Sequence, residues 1–547
     1  MNGRYVLKFI GANRLFIFLV VAIAIMASIF SPRWWIVDAG SDDLLFARQA
    51  LSLLNGDWLG TFQEGAALKL PGFQLFLAIS AALHVPYFVL LILLQSFFAF
   101  KFSMLFLRFG YSSKTAHLIF AFLVFSPSLY GFSNARLLRD GFFSVLLLGI
   151  VAQGGEIYCL FKELVLNKRK IFRELIIFIL ISLWLVFTRE EGPLAVILIF
   201  LIFILLFLGN RGKSKRVQQK ILIIFFLLTV IAISGVNYTI LNLNKNYYGI
   251  SSQALLQSGP LVNLVQQWSR VNPVHENSRI SVSYEQRRKI YDAIPEIGSF
   301  GSKLESSAKY YQDVSCSVAQ VCDQVGGGWI SWAIYYTVKS ESPIDTNGAV
   351  TMQRLNHWTS LIQNYCLEVD MNCSKDFKLP GVGILQNFPK VVQEIPNQMN
   401  YYVQMKSTFT PVGISYGNQA NADVFRSITS LFGPPHVWPN KKMGFFFIPH
   451  LVFLISIILL LLIMASVYNY RIQVQSDSLI NFYIIVILLS VMLRAFTTAV
   501  LQVTGGDTIS TQYLMPGVML TWYLILLLLI RATAWFPSCL KEVRSLH

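Results

Sequence analysis

Residues Leu15–Phe30, LFIFLVVAIAIMASIF, form an unbroken apolar run, and Val37–Gly72, VDAGSDDLLFARQALSLLNGDWLGTFQEGAALKLPG, follows it almost at once. The first run is close to the ~20 residues that cross a hydrocarbon core as a helix. The second opens on two adjacent acids, Asp42 and Asp43, and closes on a lone Lys69 in a Lys-Leu-Pro-Gly sequence. Backbone in lipid must satisfy its own hydrogen bonds, and strand alternation is absent, so the apolar run reads as a helix. Met1–Arg14 is basic and no small-residue cleavage site follows Phe30, so the run reads as a retained first helix. Beyond it, Asp42–Asn55 has helical apolar spacing at Leu44, Leu45, Ala47, Leu51 and Leu54. Pro71–Leu83 is too short to cross and reads as a helix lying at the membrane surface.

The rest of the chain repeats this pattern. Of 547 residues, 55% are hydrophobic and 13% charged, about half the charge of a soluble domain. The mean hydropathy is +0.56. The net charge of +16 is concentrated in two clusters. One is Lys162, Lys168, Arg169, Lys170 and Arg173; the other is Arg211, Lys213, Lys215, Arg216 and Lys220. Clusters in short loops are the positive-inside signature of membrane topology, not a nucleic-acid surface. With these flanks, spans fall at 13–33, 86–107, 115–131, 139–161, 174–188, 193–209, 220–241, 444–468, 479–500 and 514–531. The expected fold is a polytopic helical membrane protein of about ten transmembrane helices. It divides into an N-terminal membrane module, 1–241, with a first external loop at 34–85; an extracytoplasmic domain, 242–442; and a C-terminal membrane module, 443–547.

Residues 242–442 carry mixed charges, as an ordinary soluble surface does. Val350–Val369, Val282–Ile294 and Val391–Met405 read as amphipathic helices between Pro and Gly breaks, so this domain is expected to be mostly helical. Four of the six cysteines lie there: Cys316, Cys322, Cys366 and Cys373. An even set confined to one external domain points to disulfides; four cysteines allow three connectivities, of which the local pairs 316–322 and 366–373 are the one expected. A zinc site is the rival reading, but these spacings are not those of close zinc-ligand pairs.

Acids and isolated arginines recur at span ends on one face: Asp42 and Asp43; Arg136, Arg139 and Asp140 in SNARLLRD; Arg189, Glu190 and Glu191 in TREEGP; and Asp507. Arg494 lies near the same face within the span at 479–500. An unpaired charge at membrane depth costs about 2.5–3.5 kcal/mol by insertion scales, so such charges face one another. Together they describe a polar cavity opening outward. Transfer of a sugar from a lipid phosphate suits it. A carboxylate takes the proton of an attacking hydroxyl. Cations hold the departing phosphate.

The order of these pieces resembles the GT-C glycosyltransferases, among them the protein O-mannosyltransferases and lipid A aminoarabinose transferases. The likeness lies in Asp42-Asp43, Phe46-Ala47, Gly56-Asp57-Trp58 and Lys69-Leu70-Pro71, with ARLLRD, TREEG and QYLMP as later loops. It covers the membrane part of the chain. The resemblance implies an inverting transferase using a polyprenyl-phosphate-linked sugar, with Asp42 as base and Asp43 shaping it or the acceptor site. It places Lys69 near the donor phosphate, with Arg139, Arg189 and Arg494 as further phosphate candidates and Glu190 and Asp140 as acceptor candidates. The chain departs from the pattern at Leu70, where a second proline is usual, and at Gln512, where arginine is common. Neither a cofactor nor a catalytic metal is expected.

Plainer readings stand beside these. An acidic pair after a span is often a solvated helix start favoured by the macrodipole. Arg136 also reads as a helix-end anchor, Lys69 as a snorkelling lysine, and Trp329, Trp332, Tyr335 and Tyr336 as core packing rather than a sugar-stacking surface. A transporter or flippase for a lipid-linked sugar, and an O-antigen ligase or polymerase, are the rival functions. Partners follow from the chemistry: a lipid-linked sugar donor, membrane lipid, a glycan, lipid or protein acceptor, and no nucleic acid. The expected setting is a bacterial inner membrane with the catalytic face periplasmic.

Overall fold

The computed structural model describes residues 3–31, 42–108, 110–131, 136–162, 168–190, 192–209, 216–256, 258–271, 279–319, 321–341, 348–368, 373–374, 384–404, 424, 443–469, 477–504 and 511–545. Among them the structure is helical, without strands; two isolated bridges join Val271 to Cys373 and Ile280 to Gly327. The first half runs α1 (Gly3–Phe30), α2 (Asp43–Leu54), α3 (Gly72–Ala82), α4 (Tyr87–Arg108), α5 (Ser113–Val124), α6 (Pro127–Tyr130), α7 (Asp140–Lys162), α8 (Lys168–Val186), α9 (Gly192–Gly209) and α10 (Arg216–Tyr248). The middle adds α11 (Pro260–Arg270), α12 (Tyr284–Ala293), α13 (Pro295–Gly298), α14 (Gly301–Ala319), α15 (Trp329–Ser340), α16 (Ala349–Glu368) and α17 (Ile384–Val403). The chain closes with α18 (Met443–Asn469), α19 (Asp477–Thr504) and α20 (Thr511–Ser545).

Six helical segments among the described residues are long and apolar enough to cross a membrane. They are Tyr87–Arg108, Asp140–Phe161, Arg216–Tyr248, His450–Val467, Ile480–Val503 and Tyr513–Thr533. Large apolar side chains stand exposed on the outer faces: Leu15 and Phe18 on α1, Phe172 and Leu180 on α8, Ile231 on α10, Leu461 on α18. In water so much exposed apolar surface would aggregate, whereas lipid covers it at no cost. The chain is a helical membrane protein.

The bundle is organised around α7, which packs against α4, α8, α9, α19 and α20. Its apolar length is buried throughout. Asp140 at one end and Glu156 sixteen residues on are about 24 Å apart along the helix. Each belongs to a layer of buried charge. In the far layer Arg108 Nη2 lies 2.9 Å from Glu156 Oε1, and Lys101 Nζ lies 2.9 Å from Glu174 Oε2 and also donates to Gln153.

The segment expected to span at 115–131 is interrupted. Its helix, α5, has 12 residues, about 18 Å, and Pro127 starts a separate turn, α6. The freed carbonyls are satisfied by side chains from all sides. Gln95 Nε2 donates to Leu123 O at 2.7 Å, Tyr130 Oη to Val124 O at 3.1 Å and Ser456 Oγ to Phe125 O at 2.6 Å. A broken helix at membrane depth persists only with such partners.

The boundary expected after residue 241 falls inside α10, which continues to Tyr248. Beyond it, α11 to α16 enclose a second core containing Trp268, Tyr335, Trp358 and Ile362. Leu45, Leu59, Phe62, Ala66, Ala67 and Leu68 of the first loop join that core. The loop therefore belongs to both halves of the molecule. The disulfides are Cys316–Cys322 and Cys366–Cys373, as expected from their spacing. The helix read at Val391–Met405 is α17, but it leaves the second core and lies along α19 and α20. There Val391 packs with Ala499 and Val500, and the Tyr402 and Thr498 hydroxyls are 2.7 Å apart.

Candidate active site

From Asp42 onward, the segment between α1 and α4 is fixed at several points. Trp58 Nε1 donates to Asn244 Oδ1 at 2.8 Å, and Tyr248 Oη to Gly60 O at 2.8 Å. Leu255 N donates to Ala67 O at 2.8 Å. Leu59 and Ala67 hold positive φ, 53° and 59°, a strained backbone that persists only where its surroundings determine it. The Lys-Leu-Pro-Gly segment then docks on the Thr188–Arg189 turn. Gly72 N donates to Phe187 O at 2.9 Å, and Trp184 Nε1 donates to Gly72 O at 2.8 Å. A Cβ on Gly72 would stand 2.6 Å from Phe187 O and 2.9 Å from Thr188 Oγ1, so only glycine allows this approach. It carries Lys69 to the start of α2.

Asp42 is the N-cap of α2, and its carbonyl accepts from Phe46 N at 2.9 Å. Its side chain does not cap the helix, although aspartate favours that role. It faces cations instead: Oδ1 is 3.8 Å from Lys69 Nζ and Oδ2 is 3.6 Å from Arg136 Nη2. It keeps 29% exposure. Asp43 is wholly buried. Arg136 donates to its Oδ2 through Nη2 at 2.6 Å and Nε at 3.1 Å, and Leu137 N donates to its Oδ1 at 3.0 Å.

The two neighbouring carboxyls are thus pushed apart in acidity. Burial drives Asp42 up, but Lys69, Arg136 and Arg139 together outweigh it and leave it below the ordinary aspartate value. Burial raises Asp43 above that value, against the pull of Arg136, and the charge of Asp42 adds to the rise. Burial also works against the Arg136 charge, yet Asp43 and Asp42 hold it more firmly protonated than usual. The solvated-helix-start reading does not describe Asp43. It is a buried anchor that ties the Arg136–Leu137 loop to α2.

A second tier follows around the start of α7. Arg139 Nη1 donates to Glu190 Oε1 at 2.6 Å, and its guanidinium sits 5.7 Å over the Phe46 ring. Arg189, 1% exposed, pairs with Asp140 and lies between the rings of Phe143 and Tyr513, 5.7 and 5.5 Å from their centroids. Arg494 Nη2 donates to Tyr513 O at 2.6 Å. Arg494 also lines a small apolar cavity with Phe143, Leu147, Leu198, Leu493 and Leu520. Tyr513 and Phe143 therefore connect the acidic mouth to an apolar chamber between α7, α9, α19 and α20.

The residues singled out in the sequence thus separate by surroundings. Asp42 and Lys69 face each other at the mouth, and Arg139 reaches Asp42 electrostatically. Glu190 and Asp140 are carboxylate partners of Arg139 and Arg189. Arg136, readable from sequence as a helix-end anchor, is the cation in contact with both aspartates. Its signal was the pair of arginines in ARLLRD, which sequence alone does not rank. Trp332 comes from α15, its ring 5.6 Å from Lys69 Nζ. Nothing local in the sequence connects these two. Glu191, Asp507 and the Gln512 side chain lie outside the described residues. No family model, no curated protein and no solved structure matches the chain.

Proposed function

We propose that the chain is an integral-membrane glycosyltransferase of the GT-C kind. It moves a sugar from a polyprenyl-phosphate donor to an extracytoplasmic acceptor. The observation that carries this reading is a partly open carboxylate, Asp42, flanked by Lys69 and Arg136 where the membrane bundle meets the external domain. Asp42 takes the proton as the acceptor hydroxyl attacks the anomeric carbon. The bond from that carbon to the phosphate oxygen breaks, the configuration inverts, and the lipid phosphate leaves with the electron pair. Lys69 and Arg136 are the cations best placed for its growing charge. Lys69 is held only at 3.8 Å, beyond hydrogen-bond range, so an incoming phosphate displaces little. Arg139 shares a carboxylate, Glu190, that keeps 23% exposure, and is the next candidate. Arg189 is sealed against Asp140 and orients the turn rather than meeting the donor.

The finer topology belongs to the same proposal. With α1, α5–α6, α8 and α9 counted beside the six long helices, about ten segments cross the membrane. The basic clusters then lie in the cytoplasm and the disulfide-bearing domain outside, as in a bacterial inner membrane protein with a periplasmic site. The acceptor is a cell-envelope glycan, lipid or protein.

The test is transfer by the purified protein in detergent, with no sealed compartment. Asp42→Asn abolishes transfer while the protein stays folded. Near wild-type transfer by that variant removes Asp42 as base. Absence of any transfer from lipid monophosphate sugars, with activity on lipid diphosphate glycans, favours the ligase or polymerase reading. Vectorial movement without a new glycosidic bond favours a transporter.

A further inference from the structure

The mouth of the site is not bounded by charge alone. Trp329, Trp332 and Tyr336 fall at positions i, i+3 and i+7 of α15, on one face. Tyr310 and Tyr311 of α14 lie beside them. Their rings form a connected row. Trp332 and Tyr336 are 6.1 Å apart and 21° from parallel; Tyr336 and Tyr311, 6.5 Å and 16°; Tyr311 and Trp329, 5.9 Å and 19°. The row starts at the candidate site, where Lys69 Nζ stands 5.6 Å from the Trp332 ring. It ends in the open, where Tyr310 is 66% exposed and packs edge-on against Tyr311. Lys339 Nζ stands 5.0 Å over Tyr336 on the flank.

We infer that this row is the acceptor subsite and that its ligand is a saccharide chain. The inference rests on the transferase reading and narrows its acceptor to a glycan. The half-buried Trp329 and Tyr336, backed by the near-parallel Tyr311 and Trp332, match the C–H face and hydroxyl rim of a pyranose. Continuity with Lys69 and Asp42 gives the row a direction, because a chain laid along it ends with a hydroxyl at the carboxylate. From Trp329 to Tyr336 the helix rises about 10 Å, room for about two sugar rings. Trp332 and Tyr311 are buried and join the same core as Tyr335, whereas Trp329 and Tyr336 remain half-buried and Tyr310 is open, so the accessible part of the row is its Trp329, Tyr336 and Tyr310 rings.

The test is direct binding, with no donor present. The full-length protein, in a detergent without a sugar headgroup, is titrated with cellohexaose and with hexagalacturonate while its tryptophan fluorescence is read. Saturable quenching by either sugar is expected. Trp329→Ala and Tyr336→Ala weaken it by about tenfold, and Trp329→Tyr restores most of it. With donor added, Tyr336→Ala raises the acceptor KM and leaves kcat nearly as it was. Binding by neither sugar up to about 10 mM, or binding unchanged in Trp329→Ala and Tyr336→Ala, overturns the subsite. Because the binding arm needs no chemistry, it stands or falls apart from the transfer test on Asp42.

Discussion

Two adjacent acids with opposite surroundings make a sharp prediction. Asp43 has no exposure and accepts hydrogen bonds from the Arg136 guanidinium and from Leu137 N. In Asp43→Asn the amide offers one acceptor oxygen where the carboxylate offered two, and its NH2 group meets a donor. Breaking one side of a buried charged pair costs about 3–5 kcal/mol. Asp42 has only contacts of 3.6 and 3.8 Å and keeps 29% exposure. Asp42→Asn therefore loses about 1 kcal/mol or less, and it also relieves repulsion between the neighbouring carboxyls. Thermal unfolding of the purified variants, paired with the transfer assay, separates the two. Asp43→Asn unfolds several degrees lower and loses activity with its fold. Asp42→Asn melts close to wild type yet transfers nothing. Equal destabilisation by both substitutions, or an Asp43→Asn that melts with wild type, refutes the division into anchor and base.

Other consequences are as accessible. Asp42 lies below the ordinary aspartate value, so its carboxylate persists into acid and is lost only as pH falls through that lowered value. Lys69→Met removes its leading attraction, so the acid limb of the pH–rate profile moves to higher pH; an unmoved limb contradicts the pairing. Gly72→Ala drives a methyl into Phe187 O and Thr188 Oγ1. Overpacking of this kind costs about 1–3 kcal/mol, read as a lower melting temperature, and it parts Lys69 from the Arg189 turn. Cys322→Ser opens a loop six residues apart in sequence, which chain entropy values at about 2 kcal/mol, measurable by proteolysis of the external domain. Glu174→Gln, in the far charge layer, leaves Lys101 without its charged partner and destabilises by about 3–5 kcal/mol, seen in thermal unfolding.

The limits of reading this chain as sequence are local and physical. Apolar runs of span length identified the long helices because lipid demands internal hydrogen bonding over the whole crossing. The same rule does not show the break within 115–131. There, Gln95, Tyr130 and Ser456 supply carbonyl partners across the bundle, and no window of sequence contains all of them. The helix at α17 was legible from its period, but its packing against α19 was not, since an amphipathic face does not name its partner. At the site, the carboxylates and cations were visible because charge at span ends is scarce. Their pairing was not. Which acid holds Arg136, and whether it is buried, depends on two loops 94 residues apart, Asp43 and Leu137.

The placement of the first loop explains why these charges are arranged as they are. Ala47 and Phe46 pack into the core of the helix bundle while Leu45, Phe62 and Leu68 pack into the second core, that of α11 to α16. Residues 42–72 are thus held from both sides, and Asp42 sits at the seam between them. On the proposed reading, a donor enters from the bundle and an acceptor from the external domain, and they meet only at this seam. The donor phosphate competes for Lys69 and Arg136, the same cations that depress Asp42. Its arrival weakens their hold on the carboxylate and makes it a better base when a sugar is present to be attacked. A base restrained by the cations that receive the leaving group couples activation to donor binding. It also predicts that the Lys69→Met acid limb, measured with donor saturating, lies closer to wild type than the limb measured on free enzyme.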